Sequence, residues 1–84
     1  MSVSRKPYEE MVREVVARAF QIPLEAVSAE TGYGHPEAWD SLGHLMLMME
    51  LETVLQVHFS TEQISRPRTV KELYELVAEL SPND

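Results

Sequence analysis

Eighty-four residues without a cysteine fit one small domain, rule out a disulfide framework or a thiolate zinc site, and leave little volume for a deep catalytic cleft. Seven basic residues against fourteen acidic ones give a formal charge of −7, which argues against nucleic acid as a partner and is compatible with a basic protein surface. The longest unbroken apolar stretch, Leu45 to Met49, is far shorter than the ~20 residues of a membrane span, and no signal-like segment opens the chain. The expectation is a cytoplasmic monomer with no membrane span.

Residues 1–6 and 81–84 are expected to fray, leaving the whole chain as a single domain. Pro7 suits the first turn of a helix, where its missing N–H is no loss. Tyr8, Met11, Val12, Val15, Ala19 and Phe20 recur at helical spacing, with Glu9, Glu10, Arg13, Glu14 and Arg18 between them. This predicts helix one, ending before Pro23. Residues 21–40 read as a long connection carrying Pro23, Gly32, Gly34 and Pro36. Leu24 and Val27 are expected to tuck into the core on a short helical turn. A loop of ~20 residues is unusual in a compact domain and often serves a site.

Helix two is predicted from Ser41 to Val57, with Asp40 as its N-cap. Ser60 and Gln63 have capping-box spacing and predict a short helix around residues 61–65. Pro67 interrupts, and Thr69 with Glu72 forms a second box that opens the last helix. There Val70, Leu73, Tyr74, Val77 and Leu80 line one face, and Glu72, Glu75 and Glu79 the other; Pro82 follows. The predicted fold is an all-α bundle of three main helices and one short one.

Helix two carries two apolar faces. At ~100° per residue, Leu47, Met48, Leu51, Val54 and Leu55 cluster on one side, and Leu42, Leu45, Met46 and Met49 on nearly the opposite side. Leu47, Leu51 and Val54 are expected to pack on Val12, Val15, Phe20, Leu73 and Val77. Three helices cannot cover both sides. The second patch either meets a partner, for which methionines are adaptable, or lies under the long loop. Beside it, Ser41 stands at a helix start, where free N–H groups and the helix dipole favour an anion. Ser41 is either an ordinary capping residue or the bearer of such a group.

Asp40-Ser41-Leu42 resembles the Asp-Ser-Leu motif of acyl carrier proteins. The likeness extends to the long loop before it, to Leu51-Glu52 near the end of the apolar helix, to the turn Val57–Ile64, and to the closing stretch Arg68–Val77. It covers roughly residues 8–80. The resemblance implies a carrier and not an enzyme. Ser41, between Asp40 and Leu42, would receive 4′-phosphopantetheine from coenzyme A through a phosphopantetheinyl transferase. The arm's thiol would hold an acyl, aminoacyl or peptidyl thioester for a loading enzyme and a downstream synthase or transferase of fatty-acid, polyketide or related biosynthesis. Helix two would be the recognition helix, with Leu42, Met46 and Met49 facing partners and Glu50 and Glu52 at the margins. The chain departs from the family's common Leu-Gly before the motif: it has Glu37-Ala38-Trp39, and Trp39 is similar to stand-alone carriers of specialised pathways. Acidic residues on helix two are few, and the Gly-Gly-His-Ser-type motif of peptidyl carriers is absent.

Other readings are weaker. Asp40, Ser41 and His44 make no hydrolase triad, because Asp40 and Ser41 are chain neighbours and no nucleophile elbow is present. His44 and His58 lie about 21 Å apart at 1.5 Å per residue and cannot share a metal; His44 is expected to be solvated or half-buried. The alternative from a different class is an unmodified helical interaction domain with a carrier-like fold.

Overall fold

The computed structural model describes residues 6–80. Four α-helices follow in order: α1 Lys6–Phe20, α2 Ser41–Leu55, α3 Thr61–Ser65 and α4 Val70–Leu80, with one 3₁₀ turn at Leu24–Ala26 in the long connection. The described residues are all-helical apart from connections, as the periodicity predicts. Of the two frayed segments expected, Lys6 lies within α1, and 1–5 and 81–84 fall outside the described residues.

α1 packs against both α2 and α4. Its buried stripe is accordingly wide: Val12, Val15, Val16 and Phe20 all enter the core. Val16, unassigned by the simple spacing, is one turn beyond Val12 on the same side, whereas Ala19 is exposed. From α2 come Leu47, Met48 and Leu51, and from α4 Val70, Leu73, Leu76 and Val77. The expected core partners are therefore together, except that Val54 is only half-buried at the edge.

The long connection is ordered by hydrogen bonds between residues far apart in sequence. Val70 and Lys71, whose N–H groups open α4 and have no intrahelical acceptor, donate to the carbonyls of Thr31 (2.8 Å) and Ala29 (3.0 Å). Tyr33 N–H donates to Arg68 O at 3.1 Å. The two strips run so close at Gly32 that a Cβ there would lie 2.3 Å from Arg68 O. Arg13 reaches across from α1 and donates to the carbonyls of Leu24 (3.1 Å) and Val27 (3.4 Å). Val27 is buried as expected, but Leu24 is exposed: its 3₁₀ turn lies flat on the surface, so only one of the two residues can point inward.

α2 stops at Leu55 instead of Val57 because Gln56 takes a left-handed conformation (φ 56°). Val57 N–H then folds back onto Glu52 O at 3.1 Å, closing the helix as a Schellman-type end. Gln21 (φ 56°) ends α1 in the same manner, with Ile22 N–H bonded to Ala17 O at 3.0 Å. The Ser60–Gln63 capping box is complete. The Thr69–Glu72 box is half-formed: Thr69 Oγ1 accepts from Glu72 N–H (3.2 Å), but the Glu72 carboxylate reaches one residue further back, to Arg68 N–H (2.7 Å).

Leu51 is fully buried between these helices. Leu51→Ala is expected to cost about 2–5 kcal/mol, a large part of the ~5–15 kcal/mol that stabilises a small domain. Thermal unfolding followed by circular dichroism should show a melting temperature lower by roughly 10 °C or more; an unchanged value would contradict this packing.

Candidate functional site

The turn into α2 is built by three local bonds. Asp40, in extended conformation, accepts from Gly43 N–H through its carboxylate at 2.8 Å. Its carbonyl takes the first helical bond from His44 N–H at 2.7 Å, and its N–H donates to Ala38 O at 2.9 Å. Asp40 is thus the N-cap, and Ser41 is the first helical residue, exposed and outside the capping bond. Gly43 belongs there because a Cβ would lie 2.2 Å from Ala38 O and 3.1 Å from Phe20 Cε1. Its absence lets the loop and the end of α1 sit directly on the first turn of α2.

The second apolar face of α2 is exposed. Leu42 is 66% accessible, Met46 61%, Met49 57% and Leu45 44%, so the long loop does not cover it. Next to it a groove of about 640 Å³ runs between the end of α1 and the start of α2, with Phe20, Leu42 and Met46 in its wall and Arg18 and Glu50 among its lining residues. Arg18 donates to Glu50 at 2.9 Å, an exposed pair that adds little stability. Asp40, Leu42, Met46 and Glu50 therefore converge on one groove, and Ser41 stands at its end of the helix. Glu52 does not join them: its carboxylate accepts from Phe59 N–H at 2.8 Å and lies 3.7 Å from His58 Nδ1, pinning the turn after α2.

The loop passes instead over the core face, where it inserts Trp39 with no exposure. The indole stacks on Phe20 (centroids 5.2 Å apart) and donates from Nε1 to His44 Nδ1 at 3.0 Å. His44 Nε2 lies 2.6 Å from Ile64 O. His44 is thus buried, against the expectation of a solvated or half-buried ring. Helical spacing places it beside Leu47, Met48 and Leu51, and a histidine with partners on both nitrogens is as acceptable there as a leucine. Burial holds its pKa below the ordinary imidazole value, aided by the Arg68 charge and opposed by the Ile64 hydrogen bond. Neither Trp39 nor His44 is assigned to the core by the sequence pattern. The available signal is their spacing: an indole donor five residues before an imidazole acceptor.

Asp40→Ala removes the cap of α2 and is expected to cost about 1 kcal/mol, while Asp40→Asn, which keeps the acceptor, should be near neutral. Melting curves of the two variants beside the parent chain test this; equal losses from both would mean that the charge, and not the cap, matters.

No protein-family model and no curated protein matches the chain.

Proposed function

We propose that the chain is an acyl carrier protein, a carrier and not an enzyme, modified on Ser41 with 4′-phosphopantetheine taken from coenzyme A. The observation that carries this is the placement of Ser41: exposed, one residue past a cap that Asp40 already supplies, on a 15-residue helix whose outward face is apolar and accessible. The hydroxyl is therefore not spent on capping. A phosphodiester on it would sit within reach of the free N–H groups and the positive end of the α2 dipole. The adjoining groove leaves room for an arm or its cargo. When bound, the arm supplies a terminal thiol that holds an acyl, aminoacyl or peptidyl group as a thioester.

The chain's own part is to present that serine and to be recognised. Leu42, Met46 and Met49 offer an apolar contact to a phosphopantetheinyl transferase, to a loading enzyme and to a downstream synthase or transferase of fatty-acid, polyketide or related biosynthesis. Glu50 stands at the margin with its charge shared by Arg18. Glu52 has a structural role in the turn, so acidic recognition along α2 is weak and binding rests on apolar burial. The compartment that fits such chemistry is the cytoplasm; among the described residues no helix is long and apolar enough to cross a membrane.

Incubation with coenzyme A and a broad-specificity transferase, followed by intact mass, is expected to add one arm per chain. Ser41→Ala should remain helical and gain no mass. Labelling of the alanine variant, or none of the parent chain, would sink the assignment and favour an unmodified interaction domain using the same face.

Met46→Glu is expected to leave the melting temperature nearly unchanged, since the side chain is mostly solvent-exposed. It should slow loading by the cognate enzyme roughly tenfold or more, because a charge buried in an apolar contact costs well over the ~1.4 kcal/mol of a factor of ten. Loading rates measured against salt concentration decide it; wild-type rates from the variant would remove this face from recognition.

A further inference from the structure

The carrier reading uses the outward side of α2 and leaves the buried chain from Trp39 through His44 to Ile64 without a role. We propose that His44 is a positioning residue for the turn that presents Ser41, and that uptake of a proton by His44 releases Trp39 and loosens that turn. The release of Trp39 stands on the geometry alone; its consequence for Ser41 rests on the carrier reading.

The partners fix the tautomer. Ile64 O can only accept, so His44 Nε2, 2.6 Å away, carries the proton. The indole Nε1 can only donate, so His44 Nδ1, 3.0 Å away, is bare. A second proton has one place to go, Nδ1, where it meets the indole N–H head-on. Two donors then face each other, the hydrogen bond is lost, and a buried indole N–H is left without an acceptor.

Burial and a nearby positive charge stand against the imidazolium; the Ile64 hydrogen bond favours it but is outweighed. From the loop, the Tyr33 ring lies 5.2 Å from the imidazole. The Arg68 guanidinium, from the segment before α4, sits over that Tyr33 ring at 4.9 Å and brings positive charge. α3 contributes the Ile64 carbonyl. The Asp40 carboxylate, from the turn before α2, is committed to Gly43 N–H. Burial and Arg68 accordingly keep the folded ring neutral to lower pH than a free imidazole. The sign follows: as pH falls below the ordinary 6.5, the unfolded chain takes up the proton first. The fold then loses stability until the pH has dropped through the folded value.

The released group lies two residues before Ser41. Trp39 N–H and O are tied to Pro36 O (2.9 Å) and Gly34 N–H (3.1 Å), so displacement of the indole pulls on the loop that ends at the α2 cap.

The test follows the indole N–H resonance of Trp39, the only tryptophan in the sequence, together with the Ser41–Gly43 amides. Spectra run from about pH 7.5 to about pH 5, the range in which histidine charge changes. His44→Gln is the comparison: its amide offers an acceptor and a donor but does not titrate. In the parent chain the indole resonance should shift and its hydrogen exchange should accelerate roughly tenfold beyond the intrinsic rate, with a midpoint below 6.5; in the variant it should stay level. An indole that is unmoved in the parent chain, or that moves equally in both, overturns the proposal. If the variant does not fold, the parent chain alone decides. Coincident midpoints for the His44 ring protons and the indole support the proposal, and an indole unmoved over the range defeats it. Transferase labelling from coenzyme A at the same pH values gives the functional arm. The parent rate should fall severalfold relative to that of His44→Gln toward acid. Parallel pH profiles would overturn the Ser41 consequence. No labelling of either chain at any pH would be a failure of the carrier reading, and the indole spectra would still decide the release of Trp39.

Discussion

Trp39 carries an indole N–H into the core with no solvent exposure, and a buried donor without an acceptor costs on the order of 1–3 kcal/mol. Much of the arrangement around α2 follows from meeting that need. His44 accepts the bond, and is then bound to find a donor's use for its other nitrogen, which it does at Ile64 O. That carbonyl belongs to the last turn of α3, where no intrahelical donor remains. One side chain thus satisfies the loop and the end of α3 at once. Phe20, stacked on the same indole, adds the end of α1. Three helices and the long connection meet around a single tryptophan.

Once the inward side of α2 is committed to His44, Leu47, Met48 and Leu51, its outward side has nothing left to cover it. α1 and α4 lie against the core, and the connection is held over Trp39 by its bonds to the start of α4. Leu42, Met46 and Met49 stay in water for a geometric reason, not because they are polar enough to prefer it. An apolar face left exposed beside a free hydroxyl adds little to the stability of the fold, and exposed faces of this kind commonly mark contact surfaces.

Local signals in the sequence are strong where structure is local. The Asp40 cap, the Ser60–Gln63 box and the three long helices all follow from residues within a few positions of one another. The two faces of α2 are legible as an angle around the helix, and their burial and exposure follow from how few elements the chain has. What is not legible depends on partners distant in sequence. The order of residues 27–40 comes from bonds such as Val70 N–H to Thr31 O, between segments that nothing nearby links. Glu52 reads as a surface acid because its acceptor role toward Phe59 N–H needs the turn at Gln56. That turn, in its own right, uses a left-handed glutamine where a glycine would have been the readable sign. His44 reads as a solvated or half-buried histidine because both of its partners lie on other elements. For the site, Asp40 and Ser41 are read from their position at a helix start, and the proposed function from a motif's resemblance. The groove between α1 and α2 exists only once Gly43 allows Phe20 and Ala38 to close on the first turn.

Ser41 is consequently a surface residue whose position is determined from the inside. Its neighbours on the chain are the cap, Asp40, and beyond it the buried Trp39; three residues later the helix turns His44 into the core. Between them, Gly43 is pressed by the loop carbonyl of Ala38 and the ring of Phe20. The hydroxyl itself is left free, yet the backbone that bears it is fixed from both flanks. On the carrier reading, a partner that places a group on that oxygen would meet an ordered turn, while the exposed methionines alongside could adjust to its shape. Order at the hydroxyl and adaptability along the apolar face would then come from opposite sides of the same helix.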